Sequence, residues 1–396
     1  MPWRVEGVMD LRIEFVLRAS RYEVSFSKLC QEFGISRPTG YLWLNRYRDA
    51  GTVTGLAELS RRPHHSPNKT SCEVELKVEE LRKLYGWGAR KLRILLLTEG
   101  HDIPEATINR ILKRRGLLYP DRSNPNATAR FSKTESNQML QMDFKGEYAV
   151  EGGKCYPLSL LDDCSRYLVG LWALPDQSTE SVRDALKAVF REQGVPRSML
   201  MDHGIPWWST TNGYGLTRLS VWLIKQGIRL IHSGVGHPQT QGKVERFHKT
   251  LKERTAHEGI PQTIPAWQDW AARFREEYNN KRPHEALGLR PPADIYIREN
   301  LRPYIEEPSE WDYGDARTVV ISSSGCMYYK GRQYFICEAL VGERVQVDEL
   351  DHLLLITFRD TTVREINLRT GRTIAVVLPA DTDRGQKCKV CPDTYL

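Results

Sequence analysis

The chain has no apolar run approaching the roughly 20 residues of a membrane span, so a membrane partner is not expected. Its opening, MPWRVEGVMDLRIEFVL, lacks the continuous apolar stretch and small-residue cleavage site of a secretory leader. The eight cysteines are scattered, and only Cys388 and Cys391 form a CxxC. One such pair without a second pair of ligands is a poor zinc signal, and reduced thiols in a cytoplasmic protein are the plainer expectation. Beyond residue 130 the chain has almost no net charge.

The charge that exists is concentrated. The 396 residues carry a net +7. Residues 1–130 alone hold 23 Lys and Arg against 15 Asp and Glu, which accounts for all of the excess. A basic arm on a near-neutral body points to a polyanionic partner such as nucleic acid gripped at one end. The length is too great for one ordinary domain.

Residues 1–59 read as a first helical unit. Leu11, Phe15 and Val16 keep helical spacing. SFSKLCQEFGISRPTGYLWLNRYRDAG then gives a short helix, a turn at Gly34, and a second helix opened by Ser36, a natural N-cap, with Pro38 in its first turn. Leu29, Ile35, Leu42 and Leu44 would form its core. This is the pattern of a helix-turn-helix, whose second helix enters the major groove of double-stranded DNA. Arg37, Thr39, Tyr41 and Arg46 lie on or near that helix as candidate DNA contacts. An ordinary helical bundle with a charged face is the alternative. Residues 60–72 read as a linker whose Arg61 and Arg62 would track phosphates. Residues 73–117 read as a second such unit, with Ile108, Ile111 and Leu112 inward and Asn109, Arg110, Lys113 and Arg114 outward. Residues 118–137, poor in apolar side chains, read as another linker.

From Gln138 the period changes to strands. QMLQMDFKGEYAV, KCYPLSLLDD and SRYLVGLWAL predict three strands, TESVRDALKAVFREQG a helix, and RSMLMD and IRLIHS two more strands. The order implies a mixed sheet flanked by helices over 138–300. Short alternating segments over 310–380 predict a small antiparallel β-barrel, followed by a polar tail over 381–396.

Within HPQTQGKVERFHKTLKER (237–254) the cations Lys243, Arg246, Lys249, Lys252 and Arg254 surround Glu245. The stretch is built to meet a polyanion, with Lys243 a candidate DNA contact. A carboxylate facing phosphates is repulsive unless a cation stands between them. Magnesium takes carboxylate ligands and leaves positions for phosphate oxygens, and two such ions can clamp an in-line displacement at phosphorus. Asp143 lies inside an apolar strand, where an unused acid is costly. Asp202 ends a strand before a turn. Asp162, Asp163 and Asp176 sit where turns are expected and read as structural. Lys249 and Lys252, four and seven residues after Glu245, share its helical face and would hold the DNA backbone. A solvated face is the alternative, and Arg254 drifts off it.

An acid in the first strand, an acid after the fourth, PQTQGKVE entering a helix, and YNNKRPHEALGLRPP at 278–292 together resemble the catalytic core of retroviral integrases and related insertion-sequence DDE transposases. The resemblance covers about 138–300, and the preceding helical units are also typical. It implies a multidomain α+β protein with tandem helix-turn-helix units, a ribonuclease H-like core and a triad of Asp143, Asp202 and Glu245. It implies two Mg²⁺ ions, with Mn²⁺ as a substitute, and partners comprising transposon ends, target DNA and at least one further copy of the chain. The implied activity is nicking and strand transfer. A catalytically dead DNA-binding regulator and a nuclease that cuts without joining are the rivals. The 42 residues between Asp202 and Glu245 exceed those of compact members. The added length falls in PWWSTTNGYG, where Trp207 and Trp208 either stack on a base or pack beneath the loop.

Overall fold

A computed structural model describes residues 7–59, 69–118, 132–209, 215–232, 242–298 and 301–379. Arg61, Arg62, residues 238–241 of the PQTQGKVE stretch, Cys388, Cys391 and the tail lie outside the described residues. The chain divides into two compact units, 1–71 and 72–396.

In the first unit, α1 (Val8–Ser20), α2 (Phe26–Glu32) and α3 (Arg37–Ala50) enclose Phe15, Val16, Leu29 and Leu44. The Ser36 side chain caps α3 by accepting from the Thr39 amide. Gly40 lies where α3 crosses its neighbours. A Cβ there would fall 2.8 Å from Cys30 Sγ and 3.0 Å from Phe15 Cζ. Leu42, expected in this core, is exposed instead. It follows Tyr41 on the outer side of the helix, while Leu44 points in.

The second unit begins with α4 (Cys72–Tyr85), α5 (Ala89–Thr98) and α6 (Glu105–Arg114). Ile108, Ile111 and Leu112 are buried with Val78, Leu92 and Leu96, as the 3.6-residue period predicts.

A mixed sheet follows. The segment expected to be its first strand is two: β1 (Leu140–Phe144) and β2 (Tyr148–Val150), separated by a turn at Gly146 with φ 100°. β3 (Gly153–Asp162) pairs antiparallel with β1, with β2 and with β4 (Leu168–Leu174). β5 (Ser198–Met201) lies parallel to β1, and β6 (Arg229–His232) parallel to β5. The crossovers are α7 (Thr179–Gln193) and α8 (Arg218–Lys225). α7 buries Val182, Leu186 and Val189 against the sheet, as expected from their spacing. Two long helices, α9 (Gly242–Glu258) and α10 (Ile264–Asn280), add a second apolar cluster with Phe247, Leu251, Trp267 and Phe274.

The C-terminal region corrects the barrel expectation. β7 (Thr318–Val320), β10 (Arg344–Leu350), β11 (Leu353–Phe358), β12 (Thr361–Asn367) and β13 (Thr373–Pro379) form an open antiparallel sheet in the order β13-β12-β11-β10-β7. β8 (Cys326–Tyr329) and β9 (Arg332–Phe335) form a separate hairpin. Among the described residues β7 and β13 do not pair, so nothing closes the sheet. Its apolar face needs no closure, because Val345, Leu354, Ile356 and Ile366 join the same core as Leu219, Leu223 and Leu230.

Candidate active site

Asp143 is placed by strand alternation. Leu140 and Met142 face the main core, so Gln141 and Asp143 face the other side, toward α9. Gln141 is fully buried there. Its Oε1 accepts from the Val244 amide at 3.2 Å and its Nε2 donates to Asp163 Oδ1 at 2.8 Å. The first turn of α9, which carries Glu245, is thus tied to β1.

Asp202 is placed by register. β1 and β5 pair Leu140 with Met199 and Gln141 with Leu200. Continued by two residues, that register sets Asp202 beside Asp143. One carboxylate oxygen of Asp202, Oδ1, accepts from the Gly204 amide at 2.8 Å and from Trp207 Nε1 at 2.6 Å.

Asp143 feels its surroundings and the other two acids. Burial, and then the negative charges of Asp202 and Glu245, push the Asp143 carboxyl up to about 7. His248, one turn after Glu245 on α9, places Nδ1 3.6 Å from Asp143 Oδ2 and pairs its Nε2 with Ser159 Oγ at 3.1 Å. Burial, with the nearby Lys145, depresses the His248 imidazole to about 3, so it stands neutral beside Asp143. Neither His248 nor Gln141 was singled out from sequence. A polar Gln within LQMDF was the available signal.

The donor set is all carboxylate oxygen, and a divalent cation would offset both the burial and the neighbouring negative charges that raise Asp143. The chemistry of the three side chains therefore fits a hard divalent ion. Among the described residues no group of three His, Cys, Asp or Glu side chains is close enough to hold one as they stand.

The cations divide. Lys243 does not face outward. Its ammonium pairs with the buried Asp163 carboxylate at 2.6 Å, and burial lowers its pKa against that partner's pull. Lys249 is half-buried, and Lys252 is exposed beside a cleft of about 290 Å³ lined also by Lys145, Glu147 and Tyr148. Arg254 is buried. It donates to Leu84 O at 2.8 Å and pairs with Glu258 at 2.5 Å and Glu277 at 2.8 Å, joining α4, α9 and α10.

Asp162 and Asp163 are structural, as expected, yet both are fully buried rather than exposed in a turn. Asp162 accepts from the Asn137 and Ser165 amides and from Ser165 Oγ, and burial raises its pKa. Asp163 accepts from the Lys133 amide at 2.7 Å as well as from Gln141 and Lys243. The YNN of the closing motif also has a physical role. Asn279 donates to Leu168 O and accepts from the Leu168 amide, extending β4 by a side chain.

Of the helical candidates, Arg37 and Tyr41 are exposed, and Tyr41 stacks on Phe26 with centroids 4.2 Å apart. Thr39 joins Ser36 in the helix cap, and Arg46 lies over the Trp43 ring. Asn109, Arg110, Lys113 and Arg114 are all on the outer side of α6, with Arg114 paired to Glu75 at 2.8 Å. Trp207 is buried and stacks on Phe144 at 5.5 Å; Trp208 packs edge-on against His203 and His232. Trp207 is thus buried in packing and Trp208 is half-buried, while residues 210–214 of PWWSTTNGYG lie outside the described residues.

Two models of an integrase core domain match residues 133–238 and 226–292. Two models of a homeodomain-like domain match residues 8–57 and 39–112. Among curated proteins, the chain is 24% identical over 249 residues to an uncharacterized 31.7 kDa protein of insertion element IS407 from Burkholderia multivorans, covering 61% of this chain and 87% of that one. It is 27% identical over 258 residues to the transposase InsD of insertion element IS2 from Escherichia coli, covering 60% and 82%. Among solved structures, the HTLV-2 integrase catalytic core domain in complex with magnesium aligns with 15% identity and a TM-score of 0.32, covering 41% of this chain and 99% of that one. The chain thus carries homeodomain-like helical units and an integrase core, and it is similar to insertion-sequence transposases.

Proposed function

We propose that this transposase-like chain binds the terminal inverted repeats of a mobile element and catalyses both nicking and strand transfer. The observation that supports the reading is the β1–β5 register, which continues to set Asp143 beside Asp202, together with the Gln141 tie that holds the first turn of α9, with Glu245, against β1. Asp143 and Asp202 come from adjacent strand ends and Glu245 from the helix packed over them. Two Mg²⁺ ions held by these acids, with Mn²⁺ as a substitute, would supply charge neutralisation at the attacking and leaving oxygens.

The reaction has two in-line steps. Water attacks a phosphodiester, its P–O bond to the 3′ oxygen breaks, and a free 3′-hydroxyl leaves. That hydroxyl then attacks a phosphodiester of target DNA, so one P–O bond forms as another breaks and no external energy source is needed. In such chemistry positioning and electrostatics dominate. The chain's residues would do the positioning. Gln141 and Asp163 fix the start of α9, His248 stands neutral beside Asp143, and Lys249 and Lys252 hold the backbone beyond Glu245. Arg37, Tyr41, Asn109, Arg110 and Lys113 would contact the element's ends. Joining two ends calls for a homodimer or a larger homo-oligomer.

The competing reading is a DNA-binding regulator. It is favoured by one observation, that no three acids in the described residues are grouped to hold an ion as they stand. The assay that decides supplies full-length protein, Mg²⁺ and a labelled duplex from the element's end. Nicked and joined products are expected. Nicked products alone would leave a nuclease, and binding without products would leave the regulator.

A further inference from the structure

The structure assigns to Trp207 the role of a positioning residue that sets which oxygen of Asp202 is available for ligation. Four observations converge. The indole N–H donates to Asp202 Oδ1 at 2.6 Å, where the Gly204 amide also donates at 2.8 Å. Among the described residues Oδ2 accepts no hydrogen bond, so the carboxylate is pinned by one oxygen and leaves the other open. The same indole stacks on Phe144, the residue after Asp143, with centroids 5.5 Å apart and planes 14° apart. Trp207 therefore braces the ends of β1 and β5 together.

Its own position is fixed. Trp207 is 1% exposed, Ser220 Oγ on α8 donates to its carbonyl, and the Trp208 amide donates to Gly204 O at 3.0 Å. A Cβ on Gly204 would lie 3.0 Å from Asp202 Oδ1 and 3.2 Å from Oδ2, so a side chain there would make the carboxylate give by a few tenths of an ångström. A hydrogen-bond donor held this rigidly fixes the rotamer of a carboxylate and draws charge from one oxygen. Partners of metal-ligating side chains that act this way are worth about 10–100-fold in metal affinity.

The inference rests on the proposed metal-binding role of Asp202, and the test separates the two. Full-length protein is titrated with Mn²⁺ by calorimetry, and nicking is followed as Mn²⁺ concentration is varied. Trp207→Phe keeps an aromatic ring against Phe144 and loses the N–H. It should weaken Mn²⁺ binding about tenfold and raise the Mn²⁺ needed for half-maximal nicking by a similar factor. DNA affinity should stay unchanged. Gly204→Ala leaves the indole in place but presses on Asp202, and it should weaken Mn²⁺ binding in the same direction. This second variant keeps the idea exposed should Trp207→Phe fold poorly. If both variants bind Mn²⁺ like the wild type while Asp202→Asn does not, Trp207 is only a packing residue. If Asp202→Asn itself binds Mn²⁺ normally, the metal reading falls and takes the inference with it.

Discussion

The unit formed by residues 7–59 and the unit that begins at Cys72 solve different problems. Among its described residues the first buries apolar side chains alone, with no polar or charged residue in its interior. The second buries Gln141, Asp162, Asp163, His248, Arg254 and Asn279, besides Glu75 and Arg82 in its own helical part. A surface that meets DNA needs only a scaffold that holds exposed side chains at helical spacing. A site that acts on DNA needs polar groups held inside at fixed places, and each must find partners to offset its lost hydration. The helices α4–α6 resemble the first unit in sequence pattern, yet by this measure they belong with the core. Arg254 and His257 donate to the last carbonyls of α4, at Leu84 and Lys83, and Arg282 lies over Trp87.

The comparison predicts effects of different kinds. The largest is on chemistry: Asp143→Asn, Asp202→Asn and Glu245→Gln should each lower nicking and joining by on the order of a thousandfold or more, measured on labelled duplexes. Binding to the same duplex should hold. Near-normal joining by any one variant would remove that acid from the site. Asp176→Asn is the suitable control, because Asp176 is exposed and bonds Ser178 and Ser181 at the start of α7, on a different element from the three acids.

Next in size is stability. Arg254→Ala leaves Glu258 and Glu277 together in a partly buried site, and should cost about 3 kcal/mol by denaturant unfolding. Arg46→Ala in the first unit should cost roughly 0.5 kcal/mol or less, being a half-buried surface change. Equal costs would erase the distinction between the two regions.

A smaller effect depends on pH. Asp143 is held at about 7 in the folded chain, against about 4 when unfolded. Between those values the folded state keeps a proton that the unfolded state has released, so stability falls as pH rises from about 4 to about 7. In chelator, Asp143→Asn should therefore melt a few degrees above wild type at pH 8, and the gap should close near pH 4. A gap that persists unchanged at pH 4 would show that the carboxyl is not the source.

The smallest effect is on binding. Arg37→Ala should reduce the slope of log affinity against log salt by about 0.9, the mark of one lost phosphate contact. An unchanged slope would place Arg37 off the DNA.

What the sequence disclosed follows the same division. Helix spacing and Ser36 marked the first unit, and an acid within LQMDF marked Asp143, because these signals are local. Arg254 was expected to matter less than Lys249 and Lys252, and Lys243 to face phosphate. Their partners lie far along the chain: Leu84 is 170 residues from Arg254, and Asp163 is 80 from Lys243. No window of sequence contains both members of such a pair. Asp163 looked like a turn residue for the same reason, and its ties to Gln141 and Lys243 make Asp163→Asn unsuitable as a neutral control. The open C-terminal sheet was missed because alternation reports one buried face without naming what covers it.

The parallel register of β1 and β5 governs which length changes this gene can accept. Inserting or deleting one residue between Met199 and Asp202 would turn Asp202 to the opposite side of the sheet, since side chains alternate with a period of two. A few residues later that sensitivity ends. Ser209 and Gly215 bond to each other across the intervening segment, so residues added between them are closed off by their own bridge, at an entropic cost that grows only slowly with length. Reading-frame-preserving insertions should therefore accumulate after Ser209 and be purged before Asp202, within a span shorter than two turns of a helix.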